Sequence, residues 1–351
     1  MPLPLFVVGC DRSGTTLLTS LLEAGFGLAA PLETHFIPYF GRGLFLWGDL
    51  GGRERRRRLA EAIFDFLEIL TVSNYPTKEL TDLEPVTLLA VRGQLDALVD
   101  DAVDFGGLMQ GIFDRFAAQQ GRAGWVDNSS FYESLPLALW QTHLPGMRVI
   151  HIVRDGRDVA LSWMKSWWGP ATLGEAAWLW SRHVRDKRAW GVAHPEQYLE
   201  LHYEELLTQP RETLARVAGF LGVSLPEGPI DLSASPAARV LSTGGTHDLL
   251  AGPVKADNRE KWRAALSDDQ QRLFEYFAGE TLREGGYPIR FAAMSWSERL
   301  FIWPRALLSL GKRFVTPVYY AKKAKWGVPL ALRLAGPLSG MLVRLVTGRN
   351  R

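Results

Sequence analysis

The 351-residue sequence has one cysteine, Cys10, so it has no internal disulfide and fits a reducing, cytoplasmic compartment. It has few histidines, and no His/Cys/carboxylate cluster has ligand spacing, so no metal is expected. Long apolar runs are missing too. The longest stretch free of Asp, Glu, Lys and Arg is Ser134–Met147, 14 residues interrupted by His143 and two prolines. A spanning helix takes roughly 20 apolar residues, so none is expected. Met1–Gly9 carries no basic residue, which argues against a secretory signal. There is no internal repeat or low-complexity tract, and the ordinary apolar content excludes a disordered chain, a coiled coil and a collagen-like fibre.

The net charge of +2 conceals an asymmetry. Residues 296–351 hold 11 Lys/Arg against one acid, Glu298, while the remainder holds 29 basic and 37 acidic residues, a net −8. The expected organisation is therefore a mildly acidic domain over 1–295 and a basic, aromatic-rich extension over 296–351.

Leu5–Val8 reads as a short buried strand, followed by the turn Gly9–Gly14 and a helix over Thr15–Ala24 with leucines at 17, 18, 21 and 22. Helical spacing recurs over Glu54–Leu70, over Gly93–Gln119 with a break near Gly106-Gly107, over Asp158–Trp168 and over Leu173–Val192. Strands are expected at Trp125–Asp127, Arg148–Val153 and Tyr198–His202, the last leading into two short helices around Pro210. Ser267 and Gln270 form a capping box for a helix ending before Gly285-Gly286. Strands alternating with helices predict an α/β fold of P-loop-like, three-layer form, a central parallel sheet flanked by helices.

Two strand-following turns carry chemistry. Gly9-Cys10-Asp11-Arg12-Ser13-Gly14-Thr15-Thr16 lies between a strand and a helix, where backbone N–H groups and the helix amino end make an anion site. Its glycine spacing is that of a nucleotide P-loop, but Thr15 stands where the nucleotide-binding lysine belongs, which argues against ATP-driven phosphoryl transfer. The second is Arg154-Asp155-Gly156-Arg157-Asp158-Val159-Ala160-Leu161-Ser162. With Asp158 as cap, Arg154 and Ser162 converge on a second phosphate, each charged hydrogen bond contributing about 1.5–3 kcal/mol. Two such sites on one sheet imply a nucleotide with separated phosphates.

These two elements together resemble the sulfotransferases that use 3′-phosphoadenosine 5′-phosphosulfate (PAPS) and release adenosine 3′,5′-bisphosphate. The resemblance spans about residues 5 to 287. It implies that Arg12, Ser13, Gly14, Thr15 and Thr16 hold the 5′-phosphosulfate, and that Arg154 and Ser162 hold the 3′-phosphate. Glu33-Thr34-His35-Phe36-Ile37-Pro38 is similar to a pattern of the tyrosylprotein-type and bacterial branch, which makes Glu33 the expected general base. An acceptor hydroxyl has a pKa far above 7 and needs such a proton acceptor. His35 is the rival base, since its ordinary pKa suits neutral pH. Tyr203 in Tyr203-Glu204-Glu205-Leu206 and Lys261 in Lys261-Trp262 resemble further nucleotide contacts. One position departs from the branch: Asn128 stands where a lysine often stabilises the leaving phosphate, an uncharged donor where negative charge develops.

The resemblance implies sulfuryl transfer to an acceptor hydroxyl on a lipid, glycan, peptide or small molecule, with no nucleic acid involved. Two alternatives stay open, a P-loop kinase or NTPase and a non-catalytic nucleotide-binding protein at a membrane. Trp163, Trp167, Trp168, Trp178, Trp180 and Trp190 form either an aromatic acceptor cleft or a packed helix pair. Arg53–Arg58 reads as a solvated helix start. The extension, broken by Pro304, Pro317, Pro329 and Pro337, fits short interfacial helices on an anionic, cytoplasmic membrane face, or a basic arm on the acidic body or a second subunit.

Overall fold

The computed structural model describes residues 4–41, 43–75, 78–128, 137–166, 169–242 and 257–291, with Pro304. In chain order the elements begin β1 (Leu5–Val8), α1 (Thr15–Phe26), β2 (Leu28–Ala29), α2 (Phe36–Gly41), α3 (Arg53–Asn74), α4 (Leu80–Leu83), α5 (Leu95–Asp101) and α6 (Phe105–Gln119). There follow β3 (Gly124–Asp127), α7 (Leu137–His143), β4 (Arg148–Val153), α8 (Gly156–Trp163), α9 (Leu173–Ala193) and β5 (Tyr198–His202). Helices α10 (Tyr203–Thr208), α11 (Pro210–Leu221), α12 (Pro236–Ser242), α13 (Trp262–Ala265) and α14 (Asp268–Glu284) complete the set.

The strands form one sheet in the order β2-β3-β1-β4-β5, every neighbouring pair parallel. Strand residues alternate between two buried faces, as the two-residue period requires. Leu5, Val7, Val126, Ile150, Ile152 and Leu201 pack with leucines of α1, α10 and α11. Phe6, Val8, Trp125 and Val149 face the opposite way, into the helices α3, α5, α6 and α7. Both faces are thus covered, which is the condition for an all-parallel sheet. Because the sheet is parallel, the carboxyl ends of β1, β3, β4 and β5 share one edge. The chain leaves β1 toward β2 and leaves β4 toward β5, so the strand order switches between β1 and β4. That crevice is where ligands bind in open α/β sheets.

Strands β1, β4 and β5 have the expected bounds, and β3 gains Gly124. Strand β2 was not foreseen: two residues are too few to show alternation. The helical stretch over 93–119 breaks at Ala102–Asp104 rather than at Gly106-Gly107, because the Asp104 side chain accepts from Gly107 N and caps α6. Likewise α8 is capped by Asp155, accepting from Arg157 N, and not by Asp158, which accepts from Trp262 N. The Ser267–Gln270 capping box is present. Trp163, Trp180 and Trp190 are buried among the helices, so they pack the core and do not line a cleft, and Trp178 is half-buried. Within the arginine run only part is solvated: Arg56 is buried and donates to the carbonyls of Leu50, Gly51 and Val99. Trp167, Trp168 and the extension 296–351, apart from the exposed Pro304, lie outside the described residues. Among the described residues no helix is long and apolar enough to cross a membrane.

Arg157 joins the β4–α8 turn to the later helices. Fully buried, it donates to both oxygens of Asp155 and to the carbonyl of Pro288, approaches Glu275 at 3.6 Å and stacks over the Trp262 ring at 3.5 Å. Removing one partner of a buried ion pair leaves the other charge uncompensated and costs about 3–5 kcal/mol. Arg157→Met is expected to lose that much in urea unfolding, and a loss below about 1 kcal/mol contradicts the strut.

His151 and His183 are buried, and burial pulls both imidazoles down, His183 well below the ordinary 6.5. Below that value the unfolded chain takes up protons that the folded chain refuses, so stability falls as pH drops. Glu23 and Glu204, raised by burial, act in the opposite sense, so the histidine effect is read by difference. Between pH 7 and 5.5, His183→Gln should make the pH dependence of unfolding free energy less steep by up to about 1.4 kcal/mol per pH unit. An unchanged dependence would show that His183 does not titrate in this way.

Candidate active site at the carboxyl edge of the sheet

The turn after β1 is wound tightly. Ser13 N donates to the Cys10 carbonyl at 3.0 Å, and Arg12 and Gly14 adopt positive φ of 70° and 96°. Gly14 is required twice over: its φ suits only glycine, and an added Cβ would lie 2.4 Å from the Tyr203 ring. Helix α1 begins here with no side-chain cap and no acidic residue in its first turn. Its amino end therefore keeps free N–H groups and partial positive charge for an anion. The Ser13 hydroxyl is buried with no hydrogen-bond partner among the described residues, while Thr15 and Thr16 are half-buried on the first turn.

The turn after β4 lies beside it, across the switch point. The two elements read as separate anion sites touch directly, for Arg12 Nε donates to Ser162 Oγ at 3.1 Å. Arg154 is buried and donates from its two terminal nitrogens to the carbonyls of Arg12 (3.1 Å) and Asn258 (3.0 Å). Its guanidinium lies 4.4 Å from the centre of the Tyr203 ring, and its Nε is buried with no partner among the described residues. A buried guanidinium and a buried hydroxyl with unused donors fit a phosphate-bearing ligand, since each is costly until an acceptor reaches it.

Tyr203 opens α10 directly after β5. Its hydroxyl accepts from Asn258 Nδ2 at 2.8 Å, and Lys261 Nζ donates to Asn258 Oδ1 at 2.6 Å. The structure thus brings Arg12, Ser162, Arg154, Tyr203 and Lys261 into one linked group around the Gly14 turn. Asn258, central to that group, was not expected, because one asparagine before Lys261-Trp262 carries no recognisable pattern. Glu204 adds a further contact. Its Oε1 accepts from Asp155 N at 3.0 Å and its Oε2 from the Tyr287 hydroxyl at 3.1 Å, which fixes the backbone directly after Arg154. Burial pushes both Glu204 and Asp158 upward in pKa.

Glu33 and His35 form a separate pair on the β2–β3 side of the same edge. Thr34, between them, donates to the carboxylate of Asp127 at the end of β3, at 3.4 Å to each oxygen. His35 takes a positive φ of 49°, which turns its ring back onto the preceding carboxylate, and its Nε2 lies 3.0 Å from Glu33 Oε2. The His35 side chain is 3% exposed and that of Glu33 38%, so the carboxylate is the member open to an incoming molecule. Tyr75 stands close enough for the Glu33 charge to add to burial in raising its hydroxyl. Asn128, following Asp127, is buried.

Comparison with known proteins gives the chain's family. A family model described as "Sulfotransferase family" matches residues 4–227. The chain is similar to protein-tyrosine sulfotransferase 1 of Danio rerio, 22% identical over 298 residues, covering 82% of this chain and 73% of that protein. It is also similar to sulfotransferase 1A1 of Canis lupus familiaris, 30% identical over 116 residues, though that match spans only 28% of this chain and 39% of the other. Among solved structures, the sulfotransferase domain from the curacin biosynthetic pathway superposes with a TM-score of 0.50 at 16% identity, covering 83% of this chain and 99% of that one. The family match runs from the residue before β1 through α11 and takes in both turns at the switch point, and the chain belongs to the sulfotransferase family.

Proposed function

We propose that this protein transfers a sulfuryl group from PAPS to an acceptor hydroxyl. The observation that carries the reading is the linked group at the β1/β4 switch point, where Arg12, Ser162 and Arg154 meet beside the uncapped amino end of α1. A donor with phosphates on both the 3′ and 5′ positions would use both parts. Arg154 and Ser162 take the 3′-phosphate, while the α1 amino end, Ser13, Thr15 and Thr16 take the 5′-phosphosulfate. A P-loop kinase is disfavoured because Thr15 replaces the lysine that neutralises the β- and γ-phosphates.

In the reaction the acceptor oxygen forms a bond to sulfur as the bond from sulfur to the bridging 5′-phosphate oxygen breaks. The acceptor proton goes to Glu33, and adenosine 3′,5′-bisphosphate leaves. Glu33 is the base because its carboxylate faces solvent, whereas His35 is enclosed; donating from Nε2, His35 orients that carboxylate. Negative charge gathers on the bridging oxygen as the bond breaks. With Asn128 in the position of the branch lysine, Arg12, Lys261 and the loop amides provide the stabilising donors. The acceptor reaches the site from the β2–β3 side, past Glu33 and Tyr75.

Transfer of labelled sulfate from PAPS to phenols, sterols, glycolipids and tyrosyl peptides would test the reaction and name the acceptor class. With the best acceptor, Glu33→Gln is expected to lower kcat about 10²- to 10⁴-fold while leaving the donor KM within about two-fold. Unchanged kcat contradicts the base assignment. Absence of transfer from PAPS to every acceptor, with phosphoryl transfer from ATP to any of them, contradicts the reading as a whole.

A further inference from the structure

We propose that Asn258 is a positioning residue that sets the direction of the Tyr203 hydroxyl, turning its proton toward the donor phosphates under control of Lys261. The inference rests on the PAPS reading above and goes beyond it by assigning a relay of three side chains. Asn258 is buried, and Lys261 is exposed at the rim of the site. An ammonium group can only donate, so the Asn258 atom facing Lys261 Nζ at 2.6 Å has to be the amide oxygen. The amide nitrogen then faces Tyr203 at 2.8 Å. An amide nitrogen can only donate, so the tyrosine oxygen accepts and its own proton is left to donate elsewhere.

In the proposal that proton serves the donor phosphates. The Tyr203 ring lies against Gly14 of the anion-binding turn and beneath the Arg154 guanidinium. Arg154 itself is held by the carbonyl of Asn258, so backbone and side chain of one residue fix the cation and orient the hydroxyl beside it. Lys261 contributes twice, by its charge and by selecting the amide orientation. An exposed lysine is otherwise free to sample many rotamers, and the buried amide oxygen holds it at the rim of the site.

The geometry makes a prediction that simple loss of packing does not. Asn258→Asp preserves shape but offers only acceptors, so the Tyr203 proton would turn away from the ligand and onto the new carboxylate. Affinity for adenosine 3′,5′-bisphosphate is measured by calorimetry for wild type, Tyr203→Phe, Asn258→Asp and the double variant. In the wild-type background Tyr203→Phe is expected to weaken binding about ten-fold or more, the loss of a hydrogen bond to a charged group. In the Asn258→Asp background the same change should cost less than about two-fold, because the hydroxyl no longer serves the ligand. Comparing within each background removes the effect of the added charge. An equal cost in both backgrounds overturns the proposal.

Lys261→Met is the second background, independent of whether Asn258→Asp folds. Releasing the amide should likewise shrink the cost of Tyr203→Phe, and an undiminished cost counts against the relay. In turnover, Asn258→Asp should raise the donor KM. Should wild type bind the bisphosphate no better than adenosine 5′-monophosphate, the donor reading beneath the proposal fails, and the relay fails with it.

Discussion

Arg154 is a cation buried where its strand ends, and the site is built around keeping it there. A guanidinium taken out of water is costly unless its donors are used. Here the carbonyls of Arg12 and Asn258 take two of them, and the Tyr203 ring supplies an aromatic face. Those three partners come from the β1 turn, from the segment before α13 and from the start of α10. Segments far apart in the chain are thereby fixed to one another at the switch point of the sheet. The Arg154 Nε, buried with no partner among the described residues, is what such a site holds for an anion. Next to Arg154, Asp155 receives the same treatment, anchored through its N–H to Glu204 and through its carboxylate to the buried Arg157.

The proposed division of labour follows from the strand order. Donor-binding groups gather after β1, β4 and β5, while the Glu33–His35 pair is tied to β3 through Thr34 and Asp127. In that proposal the nucleotide is held on one side and the proton acceptor stands on the other. The parallel arrangement is what makes this possible, since all these strand ends open on the same edge. In the proposed reaction, with Asn128 in the position of the branch lysine, stabilising the leaving oxygen falls to Arg12 and the rim residue Lys261.

Much of this was legible from residues alone, because the informative signals are local. RVIHIV and YLELH mark strands through β-branched and apolar runs, and a glycine-rich turn between strand and helix marks an anion site wherever it occurs. Arg154, Ser162 and Tyr203, which the fold brings together, carry short patterns attached to those strands. What escaped depends on long-range contacts. Asn258 lies 104 residues from the arginine it binds and 55 from the tyrosine, so no local pattern reveals it. The direct meeting of Arg12 with Ser162 is of the same kind. The tryptophans could not be divided between cleft and core by spacing, since helical periodicity fits either. At α8 two aspartates compete for the cap: Asp155 holds it, while Asp158 accepts from Trp262 N.

The most direct measurement is a calorimetric titration of adenosine 3′,5′-bisphosphate beside ATP and adenosine 5′-monophosphate, repeated on Arg154→Ala. A site for two separated phosphates should bind the bisphosphate in preference to both others, and Arg154→Ala should weaken that binding about ten-fold or more. Preference for ATP, or bisphosphate binding indifferent to Arg154, would contradict the donor site described above.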